Sequence, residues 1–170
     1  MFQTLERAVG LLARVTAIVG GFALLAVVIM TCVSIIGRSF IWAGLGPIPG
    51  DFELVEMGIG FAVFSALPWC HFVRGHATVD LFEPFFGLRL NRALDVFADL
   101  AMFAASYVIA WRLWFGMIDK MNYSETTFIL QFPIWKAYAL GMVGAVVFVI
   151  VSGFVALRTL RSLFIKEAAA

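Results

Sequence analysis

Long uncharged stretches separate the charged residues of this chain, and they give the first indication of its structure. Residues 15–37 carry no charge over 23 positions between Arg14 and Arg38, and residues 137–157 carry none over 21 positions. Because an α-helix rises about 1.5 Å per residue, each stretch is long enough to cross a hydrocarbon core roughly 30 Å thick. The pattern predicts transmembrane helices at about 15–37 and 137–157.

Two further apolar stretches include a few polar residues. One runs from about 54 to 73 and has Glu53 and Glu56 at its start, and the other runs from about 96 to 118 and contains Asp99 and Arg112. Both are still long enough to cross a bilayer. The pattern therefore predicts an all-α integral membrane protein in which residues 1–170 form a single domain of four transmembrane helices.

The connection between the second and third spans mixes aromatic and charged side chains. Phe82, Phe85 and Phe86 alternate with charged neighbours over residues 80–92. This pattern favours an amphipathic helix that lies in the membrane interface with its aromatic side toward the bilayer, although a proline and a glycine would interrupt it. The alternative is a cytoplasmic turn whose apolar residues pack under the helices.

Basic residues between the spans predict the orientation of the chain. With the N-terminus inside, the cytoplasmic segments hold eight Lys and Arg residues and the outer segments hold three. Cytoplasmic loops of membrane proteins carry an excess of Lys and Arg, so both termini are expected in the cytoplasm.

Composition supports the membrane assignment and excludes several functions. The chain is 63% hydrophobic and 14% charged, whereas soluble domains are about one quarter charged. A net charge of +1 gives no electrostatic basis for binding nucleic acid. Two cysteines provide neither a disulfide framework nor a thiolate metal site.

Several charged residues are expected at the outer ends of the spans, where they are candidates for specific contacts. Arg38 ends the first span, Glu53 and Glu56 open the second, and Arg112 lies inside the outer part of the third. A charge at a helix centre costs about 2.5 to 3.5 kcal/mol on insertion scales. We expect Glu53 or Glu56 to pair with Arg38 or Arg112, in a structural role rather than a substrate or proton site.

A second group of charges is expected at the inner side. Asp95 and Asp99 are four residues apart and so share a helix face, and Arg14 and Arg158 lie at a similar depth. A structural role is again expected. No acid lies near the midplane of a span, which argues against a proton-driven exporter that works alone.

The two histidines give no haem site. Haem in a helix bundle takes axial ligands that face each other from different helices, whereas His71 and His76 lie together at the inner end of the second span and in the following loop. A solvated or capping role is favoured for both histidines. In the fourth span, Gly141 and Ala145 form a small-xxx-small pair beside Gly144 and predict, weakly, a close helix approach.

Three short runs resemble a known family. They are Gly-Asp-Phe-Glu-Leu at 50–54, Ala-Leu-Pro at 66–68, and Arg-Gly-His-Ala-Thr-Val-Asp-Leu at 74–81. With four spans, an arginine closing the first and an acidic residue opening the second, the chain resembles the small, DctQ-like membrane subunit of tripartite ATP-independent periplasmic (TRAP) transporters.

The resemblance implies partners for this chain. In that family a periplasmic substrate-binding protein captures an organic acid, and a large membrane subunit moves it into the cell with sodium. The small subunit is a scaffold that stabilises the large subunit and helps to dock the binding protein. The resemblance thus implies the bacterial inner membrane, sodium in the large subunit and no cofactor in this chain. The polar positions that match the family, with roles in folding and subunit contact, are Arg38, Glu53, Arg74, His76 and Asp80.

Two other functions are open to a small protein with four spans. A membrane anchor of a respiratory enzyme would hold quinone or haem, and the chain lacks facing histidines. A small multidrug exporter generally relies on a buried acid in its first span, and none lies between Arg14 and Arg38. A transporter scaffold that is not an enzyme is therefore the favoured hypothesis.

Overall fold

A computed structural model describes residues 2–75 and 88–167, with side chains described over 4–75, 91 and 93–161. Its four helices are α1 (Phe2–Ser39), α2 (Asp51–Phe72), α3 (Leu88–Asn122) and α4 (Ile134–Glu167). All four are long and apolar enough to cross a membrane. The predicted all-α architecture with four spanning helices is confirmed.

The helices extend beyond the uncharged stretches that predicted them. Helix α1 has 38 residues and begins at Phe2, well before the predicted start at 15, and α3 has 35 residues and begins at Leu88 rather than 96. Glu, Lys and Arg are good helix formers, so a charge ends an apolar stretch without ending the helix. The pattern of charges therefore locates the membrane better than it locates the helix ends.

Helix α2 has a well-defined start and a proline near its C-terminal end. Gly50 adopts a left-handed conformation (φ 74°). Asp51 and Glu53 lie in the first turn, where the helix dipole stabilises negative charge. Pro68 lies inside the helix and has no N–H, so it cannot bond the carbonyl of Phe64, four residues earlier.

Helix α4 is the central element of the fold. It packs on α2 and α3, and more narrowly on α1, while α1 packs mainly on α2. In the apolar windows of the helices, 56% of the α4 residues are buried, against 11% in α1 and α3. The flanking helices α1 and α3 therefore keep broad apolar faces that no other described helix covers.

The buried core lies between α1, α2 and α4. Trp69 and Phe72 of α2 pack against it and are partly buried themselves. Its buried members come from the first part of α1 and from the middle and later part of α4: Val9, Ala13, Val147, Val151, Phe154 and Val155. The core is thus displaced toward the end of the fold that contains the N-terminal residues.

Glycine allows α4 to approach α2 closely. A Cβ added at Gly144 would lie 2.6 Å from the carbonyl carbon and oxygen of Phe64, so only glycine fits there. A Cβ at Gly141 would instead meet the Phe64 ring at an ordinary 3.5 Å. The predicted close approach exists, but Gly144 makes it, against the carbonyl that Pro68 cannot bond.

Part of the predicted inner connection lies outside the described residues. His76 and Asp80 fall there, as do residues 81–87 of the predicted interfacial helix. Residues 88–92 belong to α3. The interfacial helix therefore stays a prediction.

Candidate functional site

At the end of the fold that the sequence predicts to face outward, called the outer end below, Asp51 joins α1 to α2. Its carboxylate accepts a hydrogen bond from Ser34 Oγ (2.5 Å) and one from the Phe52 backbone N–H (2.8 Å). Ser34 is 1% exposed and also accepts a hydrogen bond from the Ile48 N–H (3.3 Å). Arg38, one turn after Ser34 on α1, lies 3.9 Å from the same carboxylate. The end of α1, the connection and the start of α2 are thereby held together.

The expected partner of Arg38 was wrong. The sequence predicted Glu53 or Glu56, and the structure gives Asp51. Asp51 was not among the candidates because it precedes the apolar stretch of the second span. The available signal was its place directly after a glycine at the start of a helix, where acidic residues are favoured.

Glu53 instead holds the connection between α3 and α4. Its two carboxylate oxygens accept hydrogen bonds from the backbone N–H groups of Ile129 (2.8 Å) and Leu130 (3.0 Å). Leu130 also packs over Gly50, where a Cβ would overlap the leucine side chain. One carboxylate therefore fixes the outer connection over the start of α2.

This outer connection has a defined shape of its own. Thr126 and Pro133 form an isolated antiparallel bridge, and the Thr127 N–H donates to the Phe132 carbonyl (2.9 Å). Gln131 has a positive φ of 53°, which turns the chain between them. The turn thus presents the two N–H groups that Glu53 binds, which no side-chain pattern in the sequence indicated.

The other two predicted members of the outer cluster do not join it. Glu56 and Arg112 are exposed, and over the described side chains neither forms an ion pair. Glu56 and Glu53 line an apolar groove of about 280 Å³ between α2, α3 and α4. The predicted pairing of Arg112 with an acid of α2 is therefore wrong within this chain.

At the opposite end, which the sequence predicts to face the cytoplasm and which is called the inner end below, Arg74 and Asp99 form the centre of a second polar cluster. Asp99 accepts hydrogen bonds from Thr159 Oγ1 (2.5 Å) and from the Arg74 guanidinium (3.1 Å). The same guanidinium nitrogen lies 3.1 Å from Thr159, and its other amino nitrogen lies 3.7 Å from Asp95. Asp99 and Thr159 are 7% and 8% exposed. The cluster connects the end of α2 to α3 and α4.

The backbone of Arg74 explains how its side chain reaches this position. The residue has a positive φ of 54°, and the Gly75 N–H closes the end of α2 by donating to the Cys70 carbonyl (2.8 Å). Glycine usually occupies such a position after a helix. An arginine in this left-handed conformation is strained, and the contacts of its side chain offset the strain.

Asp95 and Asp99 pair with Arg74, and not with Arg14 or Arg158, which the sequence places at a similar depth. Arg158 pairs with Glu6 of α1 (3.2 Å) and lies over the Phe72 ring, 5.8 Å from its centroid. Over the described side chains, Arg14 forms no ion pair. Position along the sequence does not determine the direction in which each side chain leaves its helix.

Between the two clusters, polar side chains also connect helices. Ser106 of α3 and Ser152 of α4 share a hydrogen bond of 2.7 Å, and both are buried. His71 is 3% exposed and meets the Phe148 ring edge-on at 6.0 Å. His71 is therefore not solvated, since it packs between α2 and α4.

The contacts of both clusters hold helices together. Each cluster joins at least two helices, and its acids accept hydrogen bonds from this chain. Among the described residues, no three His, Cys, Asp or Glu side chains are grouped to hold a metal ion. The arrangement is that of a structural element in a membrane.

Comparison with protein families gives one match. Residues 27–163 match the model of the DctQ component of tripartite ATP-independent periplasmic transporters, which is 137 of the 170 residues. Neither the curated proteins nor the solved structures that were compared gave a match. The matched segment contains the outer cluster and the inner Arg74 and Asp99, so the resemblance seen in the sequence is confirmed. The chain belongs to the DctQ family and is the small membrane subunit of a TRAP transporter.

Proposed function

We propose that this chain is the scaffold that stabilises the large membrane subunit of a carrier for an organic acid. In this proposal the large subunit binds substrate and sodium and moves the substrate inward, and a periplasmic binding protein delivers it. The small subunit carries no cofactor, lies in the bacterial inner membrane with both termini in the cytoplasm, and helps to dock the binding protein.

The observation that carries the proposal is the exposed apolar surface of α1 and α3 in a member of the DctQ family. Single exposed apolar residues are ordinary in a membrane helix, which lipid can cover. Here α1 supplies only Val9 and Ala13 to the buried core cluster, and no described residue of α3 belongs to it. The apolar faces that α1 and α3 leave exposed are available to pack against another membrane protein.

The polar contacts support the same role. The buried acids of a carrier usually line a path for ions or substrate, and secondary carriers often place their sites at broken helices. Asp51, Glu53 and Asp99 instead accept hydrogen bonds that fix neighbouring elements. These bonds make the chain rigid, as a scaffold for a moving partner needs to be.

The outer connections supply the proposed docking surface for the binding protein. Trp42, Phe52 and Phe128 are 82%, 82% and 95% exposed on this side. The turn that carries Phe128 is held in place by Glu53 through the next two residues. A fixed turn with exposed aromatic side chains is suited to contact a second protein, because aromatic residues are enriched in interfaces.

Reconstitution of the three components in proteoliposomes tests this function. The small subunit alone should give no uptake of any carboxylate. The large subunit and binding protein together should give sodium-dependent uptake that rises when this chain is added. Uptake by this chain alone, or uptake unchanged by its addition, would contradict the proposal.

A matched pair of variants separates assembly from docking. Phe128→Ala should leave the two membrane subunits together in detergent but weaken binding of the binding protein to them. Leu157→Ala, in α4 where the side chain is 63% exposed, should leave that binding unchanged and serves as the control. Equal effects of the two variants on binding would exclude the outer turn as the docking surface.

A further inference from the structure

A groove at the inner end of α1 and α2 combines positive charge with an apolar floor. Its volume is about 610 Å³, and it is lined by Glu6, Arg7, Gly10, Leu11, Arg14, Trp69 and Phe72. The residues from α1 recur at three- and four-residue spacing, so they lie along one face of the helix. The groove exists because α1 approaches α2 closely there: a Cβ at Gly10 would lie 2.8 Å from the Phe72 ring.

The charges of the groove are unbalanced. Arg7 and Arg14 are exposed, and over the side chains that the structure describes neither forms an ion pair. The one acid, Glu6, is paired with Arg158 at 3.2 Å. Two guanidinium groups are thus available in one groove, and guanidinium binds phosphate oxygens in a two-pronged geometry.

The groove lies at the level of the lipid headgroups. Arg14 immediately precedes the 23 uncharged residues of the first span, whose length of about 35 Å covers the hydrocarbon core. Trp69 lies on the opposite wall, and tryptophan is enriched at this interface. The long arginine side chains can reach toward the same level from above and below, since Arg7 and Arg14 are two turns apart.

An apolar surface continues from the groove into the membrane. Beyond Arg14, the exposed residues of α1 include Val15, Ile18, Val19 and Phe22. A ligand that places an anion between the arginines can therefore lay a hydrocarbon chain along α1. A phospholipid has both parts, whereas an acidic peptide segment would leave this apolar path unused.

We propose that this groove binds an anionic phospholipid, with its phosphodiester between Arg7 and Arg14 and an acyl chain along α1. The charge complementarity of the groove and its continuity with the apolar face of α1 support this occupant. The proposal is independent of the transported substrate. Its consequence is that a lipid occupies the space between α1 and α2 and completes the inner end of the fold.

Native mass spectrometry of the full chain in detergent tests the proposal. The probe is an equimolar mixture of dioleoyl phosphatidylglycerol and dioleoyl phosphatidylcholine. The unmodified chain should retain phosphatidylglycerol in preference to phosphatidylcholine. Arg7→Gln and Arg14→Gln should each lower this preference about fivefold, the effect expected for one basic residue near an anionic surface.

Three further variants keep the test specific. Arg161→Gln removes one exposed charge from the same end of the fold, outside the groove, and should change the preference less than twofold, well below the expected loss of about fivefold. Leu11→Trp fills the groove without changing its charge and should lower lipid retention. Arg14→Lys should give an intermediate loss because it keeps the charge but not the planar fork.

Several results would overturn the proposal. One is an equal effect of Arg161→Gln and Arg14→Gln, which would indicate general surface attraction. Another is displacement of the lipid by millimolar inorganic phosphate, which would indicate a site for a free anion. A third is loss of the large subunit from Arg7→Gln with lipid preference unchanged, which would indicate a protein partner in the groove.

Discussion

The guanidinium of Arg74 lies 3.1 Å from the carboxylate of Asp99 and joins the end of α2 to α3. Thr159 of α4 donates to the same carboxylate oxygen, so three helices meet at one acid. Asp99 is nearly buried, whereas the Arg74 side chain is 45% exposed. The pair is therefore anchored by Asp99, and removing the acid leaves two donors without their acceptor.

Asp99→Ala is expected to destabilise the protein. Loss of the acceptor should cost about 2 kcal/mol, within the range for hydrogen bonds to a charged group. The measurement is the midpoint of thermal unfolding in detergent. Asp95→Ala is the matched control, because Asp95 is 3.7 Å from Arg74 and its side chain is 55% exposed; it should change stability by less than about 0.5 kcal/mol. Equal effects would contradict the central role of Asp99.

Glu53→Gln should loosen the connection between α3 and α4 without unfolding the helices. A glutamine keeps one oxygen acceptor, but its NH2 group cannot accept the second backbone N–H. The amides of Ile129 and Leu130 should therefore exchange hydrogen faster than in the unmodified chain. Glu56→Gln should leave both amides unchanged, since Glu56 is exposed and does not bind this turn. Unchanged exchange in Glu53→Gln would refute the contact.

At the outer end of α1, Asp51→Ala should lower the unfolding temperature more than Arg38→Gln does. Asp51 accepts hydrogen bonds from Ser34 and from a backbone N–H, whereas Arg38 is 65% exposed and 3.9 Å away. An exposed ion pair of this length contributes little to stability. Thermal unfolding at low and high salt checks the prediction. The Arg38→Gln effect should fall with salt, and the Asp51→Ala effect should persist.

Two glycines on one face of α4 should respond in opposite ways to alanine. Gly144→Ala should destabilise the fold. Overpacking against the Phe64 carbonyl should lower the free energy of unfolding by about 1 to 3 kcal/mol, and the better helix propensity of alanine should offset about 1 kcal/mol of this loss. Gly141→Ala should be neutral or stabilising by up to about 1 kcal/mol, because a Cβ there meets the Phe64 ring at 3.5 Å. Unfolding of both variants in one detergent decides this, and similar changes would contradict the close approach.

The sequence predicted the number and location of the spanning helices because length and apolarity are physical requirements of a bilayer. Residues 15–37 and 137–157 lie within α1 and α4. It did not predict that α1 begins at Phe2, since Glu6, Arg7 and Arg14 interrupt the apolar stretch and are compatible with a helix. Hydropathy marks the part of a helix that crosses the membrane, whereas the helix itself can extend beyond that part into water.

The sequence predicted the polar contacts less well, for two reasons. The depth of a charge follows from its position in a span, but the neighbour it faces depends on how the helices rotate and pack. For this reason Arg38 pairs with Asp51 and not with Glu53. The partners of Glu53 are backbone N–H groups, which every residue except proline carries and no pattern marks. The family resemblance was more informative, because it rests on ordered runs of residues rather than on single charges.

The central place of α4 also bears on how the protein is made. Helix α4 follows the other three in the chain, so the ribosome synthesises α1, α2 and α3 first. Helices α2 and α3 are thus made before α4, the helix on which both of them pack. During that interval, Asp99 has no hydrogen bond from Thr159, and Gly144 does not yet pack against the Phe64 carbonyl. The contacts that fix α2 and α3 on α4 therefore form only after α4 has entered the membrane.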